Sequence, residues 1–220
     1  MARAYLDALL AGRRNDACRI VIDAVDRGTP LRDVYVMVFQ EAQYEIGRLW
    51  QMNRITVAQE HYCTAATQLI MSQLYPRLFA TPRVGRRMVA ACVSGELHEI
   101  GARMVADLLE LEGWETFYLG ASTPAASLVQ EVADRRPDVL GISATLTPHV
   151  GRVAEIIRLV RAEPTCAGVK ILVGGYPFRV APGLWRDVGA DGWAPDAVRA
   201  VEMVKSWQFE PEGTEADVQR

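Results

Sequence analysis

The hydrophobic pattern of this chain changes once, near residue 80, and that change restricts the possible folds more than any other feature. Before it, apolar residues recur at three- and four-residue steps, the period of helices that pack on one face. After it, short apolar runs alternate with helical patterns, and the runs are MVAACV, ETFYLG, VLGISA, KILVGG and DGWA. Such alternation is typical of a parallel sheet with helices on both faces. The sequence therefore predicts two modules of different architecture.

The first module, residues 1–80, is predicted to be a four-helix bundle that forms a cap domain. Its third helix carries apolar residues at helical spacing from Leu31 to Leu49, so one face of that helix is apolar. Its fourth helix begins at a capping box, in which the side chains of Thr56 and Gln59 satisfy each other's backbone N–H groups. The four predicted helices cover about residues 2–11, 14–27, 31–49 and 56–78.

The second module, residues 88–208, is predicted to be an α/β domain with a flavodoxin-like (Rossmann-type) parallel sheet. Residues 81–87 contain proline, glycine and arginine and are predicted to be the linker between the modules. Residues 209–220 are polar and are predicted to form a frayed tail. Open parallel sheets bind ligands beyond the carboxyl ends of their strands, where the strand order reverses, so a functional site is expected at that edge.

Composition excludes several classes of function. The formal net charge of −3 provides no field that would attract nucleic acid, so direct DNA binding is not expected. No run of about 18 apolar residues and no export signal is visible, which predicts a cytoplasmic protein without a membrane span. The cysteines show no Cys-x-x-Cys spacing, so neither a disulfide framework nor a zinc site is predicted; they are Cys18, Cys63, Cys92 and Cys166.

One of only three histidines follows directly after the first predicted strand, in the turn SGELHEIG of residues 94–101. A neutral imidazole binds a metal through one nitrogen and needs an acceptor for its other N–H. Glu96 is placed to be that acceptor for His98, and Gly101 would let a bulky group pass close to the backbone. Taken alone, a histidine beside a glutamate is more often a surface or capping pair.

Two further motifs are predicted to open onto the same edge of the sheet. Ser143-Ala-Thr145 ends the third strand, and Gly174-Gly175 ends the fourth. With the histidine turn, this spacing resembles the cobalamin-binding domain of methionine synthase and of corrinoid methyl-carrier proteins. The pattern of that family is Asp-x-His-x-x-Gly, Ser-x-Leu and Gly-Gly, and the resemblance covers about residues 86–208.

The resemblance implies a role for each motif. His98 would replace the cofactor's own dimethylbenzimidazole as the lower cobalt ligand. Ser143 would contact the displaced base, and Gly174 and Gly175 would line the channel that holds the nucleotide tail.

The sequence departs from the family pattern at two positions. Glu96 stands where most members have Asp, and Thr145 stands where many have Leu. The longer side chain of Glu96 can still reach the imidazole. The departure therefore changes the acceptor that orients His98 and not the cobalt ligand itself.

The helical module carries a further pattern, Trp50 followed after nine residues by Glu60-His61. Without the second module, Trp50 would be read as a core residue and Glu60 as an acid that complements the helix dipole. The spacing resembles the cap of the adenosylcobalamin photoreceptors of the CarH/LitR class, in which these residues pack around the adenosyl group. Their ligand turn also reads Glu-x-His-Glu-Ile-Gly. A histidine that follows the tryptophan in the best-known members is Gln51 here.

These resemblances imply a light sensor that is not itself an enzyme. It would hold adenosylcobalamin with His98 below and the cap residues around the adenosyl group. Light would cleave the cobalt–carbon bond, and Gln51 predicts that water or hydroxide then occupies the open position. The photoreceptors' DNA-binding domain has no counterpart in this sequence, so the signal would pass to a separate effector or regulator protein or to a changed homo-oligomer.

Three other functions compete with the light sensor. The main rival is a corrinoid methyl carrier that serves methyltransferase partners. A light-independent cobalamin sensor or storage protein is the next. The small subunit of an adenosylcobalamin mutase fits less well, because such subunits lack a helical cap.

Overall fold

The structure, a computed structural model, describes residues 1–209, and its N-terminal part is the predicted bundle. The third predicted helix is one continuous rod with a π-helical segment at its centre. The sequence does not reveal that segment, because its buried residues Tyr35, Val38 and Phe39 keep the spacing of an ordinary helix. The elements are α1 (Ala2–Leu10), α2 (Arg14–Asp26), α3 (Leu31–Val34), the π-helical segment (Tyr35–Gln40), α4 (Glu41–Gln51), α5 (Val57–Leu74) and a 3₁₀ segment (Tyr75–Ala80).

The start of α5 confirms the predicted capping box. The Gln59 N–H donates to Thr56 Oγ1 at 3.2 Å, and the Thr56 N–H donates to Gln59 Oε1 at 2.9 Å. Only residues 52–56 separate α4 from α5. The two helices therefore form a hairpin, and residues close to the connection share one end of the bundle.

The second part is a five-stranded, wholly parallel sheet in the order β2-β1-β3-β4-β5, which is the flavodoxin-like order. Every predicted apolar run forms a strand, but two short helices replace the single helix predicted after β4. The strands are β1 (Arg87–Val93), β2 (Glu115–Thr123), β3 (Val139–Ser143), β4 (Lys170–Gly174) and β5 (Gly192–Ala194). The helices are α6 (Ile100–Leu111), α7 (Ala125–Arg135), α8 (Val150–Ala162), α9 (Tyr176–Val180), α10 (Leu184–Asp187) and α11 (Ala197–Ser206), with 3₁₀ turns at Thr147–His149 and Pro164–Cys166.

Each face of the sheet has its own hydrophobic core, and the helical cap belongs to one of them. Side chains of β1 alternate between the two cores: Met88 and Ala90 join one, Val89 and Ala91 the other. The first core also contains α6, α11 and the buried faces of the cap helices. The second contains α7 and α8. The cap is therefore held against the sheet domain by shared apolar packing.

The predicted linker, residues 81–87, runs along the end of α6 and is anchored there. The Thr81 hydroxyl donates to the Leu111 carbonyl at 2.7 Å. The Val84 N–H donates to the Gly113 carbonyl at 2.9 Å. The segment thus continues the packing of the cap onto the sheet domain.

The predicted polar tail, residues 209–220, lies outside the described residues except for its first member. The Phe209 ring contacts Trp114 edge-on, with 5.6 Å between the ring centroids. Within residues 1–209, no helix is both long enough and apolar enough to cross a membrane.

A buried hydrogen bond also joins the cap to α6. The Tyr35 hydroxyl donates to Asp107 Oδ2 at 2.8 Å, and both side chains are buried. Burial raises the pKa of the Asp107 carboxyl to about 6, although the Tyr35 hydrogen bond and the nearby Arg103 guanidinium act in the opposite direction. The charged form of the Asp107 carboxyl is therefore stabilised by the Tyr35 hydroxyl and the Arg103 guanidinium.

We expect Tyr35→Phe to lower the free energy of unfolding at neutral pH by about 1–3 kcal/mol, because the buried carboxylate loses a donor. Denaturant titration of the cofactor-free protein measures this loss. Tyr62→Phe is the matched control, since the Tyr62 hydroxyl donates to the Gly12 carbonyl at an exposed site. Equal losses in the two variants would contradict the importance of the buried contact.

Candidate functional site

The chain passes to opposite faces of the sheet after β1 and after β3, which are neighbouring strands. After β1 it forms α6, which packs in the core shared with the cap, and after β3 it forms α8, which packs in the other core. β1 and β3 are neighbours, with Cys92 paired to Ser143 at their carboxyl ends. This is the point where the strand order reverses, so the turns after β1 and β3 flank the crevice in which such folds bind ligands.

The turn after β1 holds the His98 imidazole by one nitrogen. Nδ1 of His98 lies 2.5 Å from Glu96 Oε1, and the Glu96 carboxylate also accepts the His98 backbone N–H at 3.0 Å. Glu96 is fully buried, whereas 54% of the His98 side chain is exposed. A proton on Nδ1 leaves the lone pair of Nε2 free at the exposed side of the ring, which is the arrangement of a metal-binding histidine.

The second oxygen of Glu96 ties this turn to the turn after β3. Oε2 accepts the N–H groups of Thr145 at 2.7 Å and Leu146 at 3.1 Å, and it lies 2.9 Å from His149 Nδ1. Burial alone would raise the pKa of the Glu96 carboxyl, but the hydrogen bonds from His98, His149 and Thr145 outweigh it and lower the pKa from 4.5 to about 2. Glu96 is therefore a fixed anion that orients the imidazole.

His149 is a residue of this site that the sequence analysis did not name. It follows the strand that ends at Ser143, and its side chain is buried, 8% exposed, and is directed at Glu96. The sequence did hold a signal for this contact, since His149 follows the strand that neighbours β1. The missing information was the direction of the side chain.

Different structural factors account for the glycines at this edge of the sheet. Gly175 has φ of +109°, and a Cβ there would lie 2.0 Å from the Ala144 carbonyl oxygen, so the close approach of two turns requires glycine. Gly174 and Gly101 are not restricted in this way. A Cβ on Gly174 would make only an ordinary van der Waals contact, and a Cβ on Gly101 would have no neighbouring atom within 4 Å. Those two positions leave open space along the crevice.

Three exposed apolar side chains follow the three central strands at this edge. Leu97 after β1 is 72% exposed, Leu146 after β3 is 45% exposed, and Tyr176 after β4 is 56% exposed. Sequence reasoning missed them because isolated apolar residues in loops are common. Together with one free imidazole nitrogen and two open glycines, they fit a large, flat, apolar group that carries a metal.

The predicted cap residues lie at the α4–α5 end of the bundle. Trp50 is 44% exposed near the end of α4, and the Glu60 carboxylate lies 2.5 Å from His61 Nδ1 and accepts the Thr64 hydroxyl at 2.8 Å near the start of α5. The cap thus presents an exposed indole and a carboxylate–imidazole pair.

Helix α5 connects this end of the cap to the ligand turn. The Gln68 side chain donates to Glu99 Oε1 at 2.7 Å, and the Tyr118 hydroxyl donates to Glu99 Oε2 at 2.7 Å. His61 lies seven residues before Gln68, so both share one side of α5, separated by about 10 Å along its axis. The side of the cap that carries His61 is therefore the side that meets the residue after His98.

Comparison with known proteins gives consistent matches to one family. A family model described as B12 binding domain matches residues 86–202, and a second with the same description matches residues 1–75. Dimethylamine corrinoid protein 1 of Methanosarcina acetivorans is 28% identical over 167 residues, which are 73% of this chain and 76% of that protein. A corrinoid protein of Desulfitobacterium hafniense is 24% identical over 201 residues, 89% of this chain and 92% of that one.

A solved structure confirms the fold. The monomethylamine corrinoid protein of Methanosarcina barkeri superposes with a TM-score of 0.80 at 22% identity, covering 91% of this chain and 94% of that chain. These matches support the predicted cobalamin-binding domain. They do not support closeness to photoreceptors, a role in signalling or transcription, or the adenosyl form of the cofactor.

Proposed function

This chain belongs to the B12-binding domain family, and on that premise we propose that it is a corrinoid carrier that presents cobalamin to a separate methyltransferase. The observation that carries the proposal is the His98 imidazole, held at Nδ1 by a buried carboxylate with Nε2 free at the edge of the sheet. The relatives named as corrinoid proteins support the carrier over the light sensor. Some dimethylamine corrinoid proteins match over only 54% of their own length, so the partner is part of the proposal.

Different residues of the crevice are proposed to contact different parts of the cofactor. When bound, the corrinoid supplies a cobalt centre that takes up and releases a methyl group. His98 would bind the cobalt through Nε2, and Glu96 would fix the ring and tautomer of His98. The apolar side chains of Leu97, Leu146 and Tyr176 would cover the corrinoid edge and exclude water. We assign the contacts to the displaced dimethylbenzimidazole base and to the nucleotide tail of the cofactor to Ser143, Thr145, Gly101, Gly174 and Gly175.

A second candidate remains the light sensor with adenosylcobalamin. It is favoured by the exposed indole of Trp50 and by the Glu60–His61 pair, which lie at one end of the cap. Such a surface suits a nucleoside, because an indole can stack on the base and a carboxylate can accept ribose hydroxyls. A carrier whose cofactor bears only a methyl group has no need of such a nucleoside-binding surface.

Binding of two cofactors distinguishes these functions. For a carrier, we expect methylcobalamin and adenosylcobalamin to bind the wild type with similar affinity in the dark, and Trp50→Ala to change neither much. For the sensor, adenosylcobalamin would bind about 10–100-fold more tightly, and Trp50→Ala would remove that preference, since burial of one aromatic side chain is worth about 1.5–3 kcal/mol. Isothermal titration with each cofactor measures both constants.

The matched control is Trp185→Ala in α10, which removes the same atoms and lies against the core on the other face of the sheet. It should leave the ratio of the two affinities unchanged. A strong preference for adenosylcobalamin that depends on Trp50 would overturn the carrier. Failure of both cofactors to bind would overturn both candidates.

A further inference from the structure

Helices α5 and α6 lie side by side, and polar side chains join them along one line. The Gln68 side chain donates to Glu99 Oε1 at 2.7 Å, and about one turn further along both helices the Arg103 guanidinium donates to Ser72 Oγ at 3.0 Å. Both pairs span 31 positions, so the two helices run in the same direction. The contact of Gln68 with Glu99 therefore lies at the end of α6 that adjoins the turn carrying His98.

Both oxygens of the Glu99 carboxylate are held, each by a different part of the molecule. Oε1 accepts from Gln68 of the cap, and Oε2 accepts from the Tyr118 hydroxyl of β2 at 2.7 Å. The carboxylate also lies close against the backbone of β2, since a Cβ on Gly120 would come within 3.3 Å of Oε2. Hydrogen bonds to a carboxylate are among the stronger ones in proteins, so this side chain is a fixed link between the cap and the sheet domain.

Glu99 also fixes the backbone next to the predicted cobalt ligand. Its N–H donates to the Leu97 carbonyl at 2.9 Å, which places His98 at the centre of a tight three-residue turn. The carboxylate of Glu96 holds the imidazole, whereas Glu99 holds the main chain from which the imidazole extends. A shift of Glu99 would therefore change the direction in which the His98 side chain leaves the backbone.

We propose that Gln68 is a positioning residue for His98, an inference that rests on the proposed function. By donating to Glu99, it holds the turn in place from the side of the cap, and Tyr118 holds the turn from the side of the sheet. The seating of the cap and the binding of cobalt by His98 are then coupled, because each favours the other. Gln68 itself does not contact the cobalt in this arrangement.

Two groups that stay in place limit the size of the effect. The Glu96 carboxylate still holds the His98 ring when the Gln68 donor is lost, and Tyr118 still holds one oxygen of Glu99. Loss of a residue that orients a metal ligand typically lowers the metal affinity by about 10–100-fold, so we expect the lower end, about tenfold.

The test exchanges the donor and the acceptor of this contact in the full chain. Gln68→Glu keeps the size of the side chain but sets a second carboxylate against Glu99, so the contact becomes repulsive. In the double variant Gln68→Glu with Glu99→Gln, the amide lies on the other side of the same contact, and its carbonyl oxygen can still accept from Tyr118. Titration with cob(II)alamin measures the affinity, and electron paramagnetic resonance measures the fraction of bound cofactor that a histidine coordinates.

We expect Gln68→Glu to bind about tenfold more weakly with a smaller histidine-coordinated fraction, and the double variant to recover most of both. That fraction is measured on bound cofactor alone, so a general loss of stability does not change it. Gln73→Glu is the matched control, because it makes the same change of charge at an exposed position of α5, and it should behave like the wild type.

Each outcome decides the proposal. Wild-type affinity and fraction in Gln68→Glu would overturn it. An equal loss in Gln73→Glu would also overturn it, because any added charge on α5 would then be the cause. So would a double variant that does not recover, because Gln68 would then act without Glu99.

A second variant covers the case in which Gln68→Glu does not fold. Gln68→Met fills the same space without donating, and it should weaken binding relative to Gln73→Met, whereas equal binding in these two variants would overturn the proposal. A wild type that binds no corrinoid overturns the proposed function as well. A normal wild type with unaffected variants overturns this inference alone.

Discussion

Replacing His98 with alanine should lower the affinity for cobalamin by at least about 100-fold and remove the spectrum of histidine-coordinated cofactor. Loss of a residue that only orients a metal ligand typically lowers the metal affinity by about 10–100-fold. The loss expected here is larger, because the bond to cobalt itself disappears. Since 54% of the His98 side chain is exposed, the variant should fold normally. Absorption titration with hydroxocobalamin measures both the affinity and the coordination.

Chemical rescue provides the control for this variant. His98→Gly leaves space at the same place, and added imidazole should restore part of the histidine-type spectrum if the site above Glu96 is intact. Unchanged affinity and spectrum in His98→Ala would show that another group is the ligand.

The second large effect is expected from Glu96→Gln. Oε1 of Glu96 accepts from His98, and Oε2 accepts from the turn after β3. Glutamine has only one carbonyl oxygen, so the donors at one of these two positions would face an NH₂ group. At least two buried donors would lose their acceptor at about 1–3 kcal/mol each, which gives a loss of about 3 kcal/mol in the free energy of unfolding. Denaturant titration at pH 7 measures it.

The same variant should alter the pH dependence of stability. The pKa of Glu96 is lowered from 4.5 to about 2 in the folded chain, so its contribution is fully present above about pH 4.5 and is lost as the pH falls towards 2. The difference in stability between wild type and Glu96→Gln should therefore shrink on acidification over that range. Glu155→Gln, the same change at an exposed position of α8, should cost little at either pH. A pH-independent difference would contradict the role of the Glu96 charge.

The sequence predicts most of the fold because each element carries its own local signal. The apolar run at 88–93 corresponds to β1, which begins one residue earlier, and the capping box at Thr56 marks the start of α5. The ligand turn could also be located, because a histidine directly after a strand must lie at the carboxyl edge of a parallel sheet.

The rest depends on contacts between distant segments, which no local pattern encodes. The bond between Glu96 and His149 spans 53 positions and depends on the order β1-β3 in the sheet. The docking of Gln68 on Glu99 likewise requires the cap and the sheet domain to share one core. Trp50, Glu60 and His61 mark a surface of the cap by their spacing, whereas the group that this surface covers is not encoded in that spacing.

One measurement tests directly whether a histidine of this chain binds cobalt in place of the cofactor's own base, and the same measurement on His98→Ala assigns that histidine. Protein labelled with nitrogen-15 in its histidines only is loaded with unlabelled cob(II)alamin and examined by electron paramagnetic resonance. Coordination by a protein histidine predicts that each cobalt line splits into two, because nitrogen-15 has spin one-half, whereas unlabelled protein gives three. Three lines in the labelled protein would mean that the base of the cofactor still holds the metal, and would contradict the account.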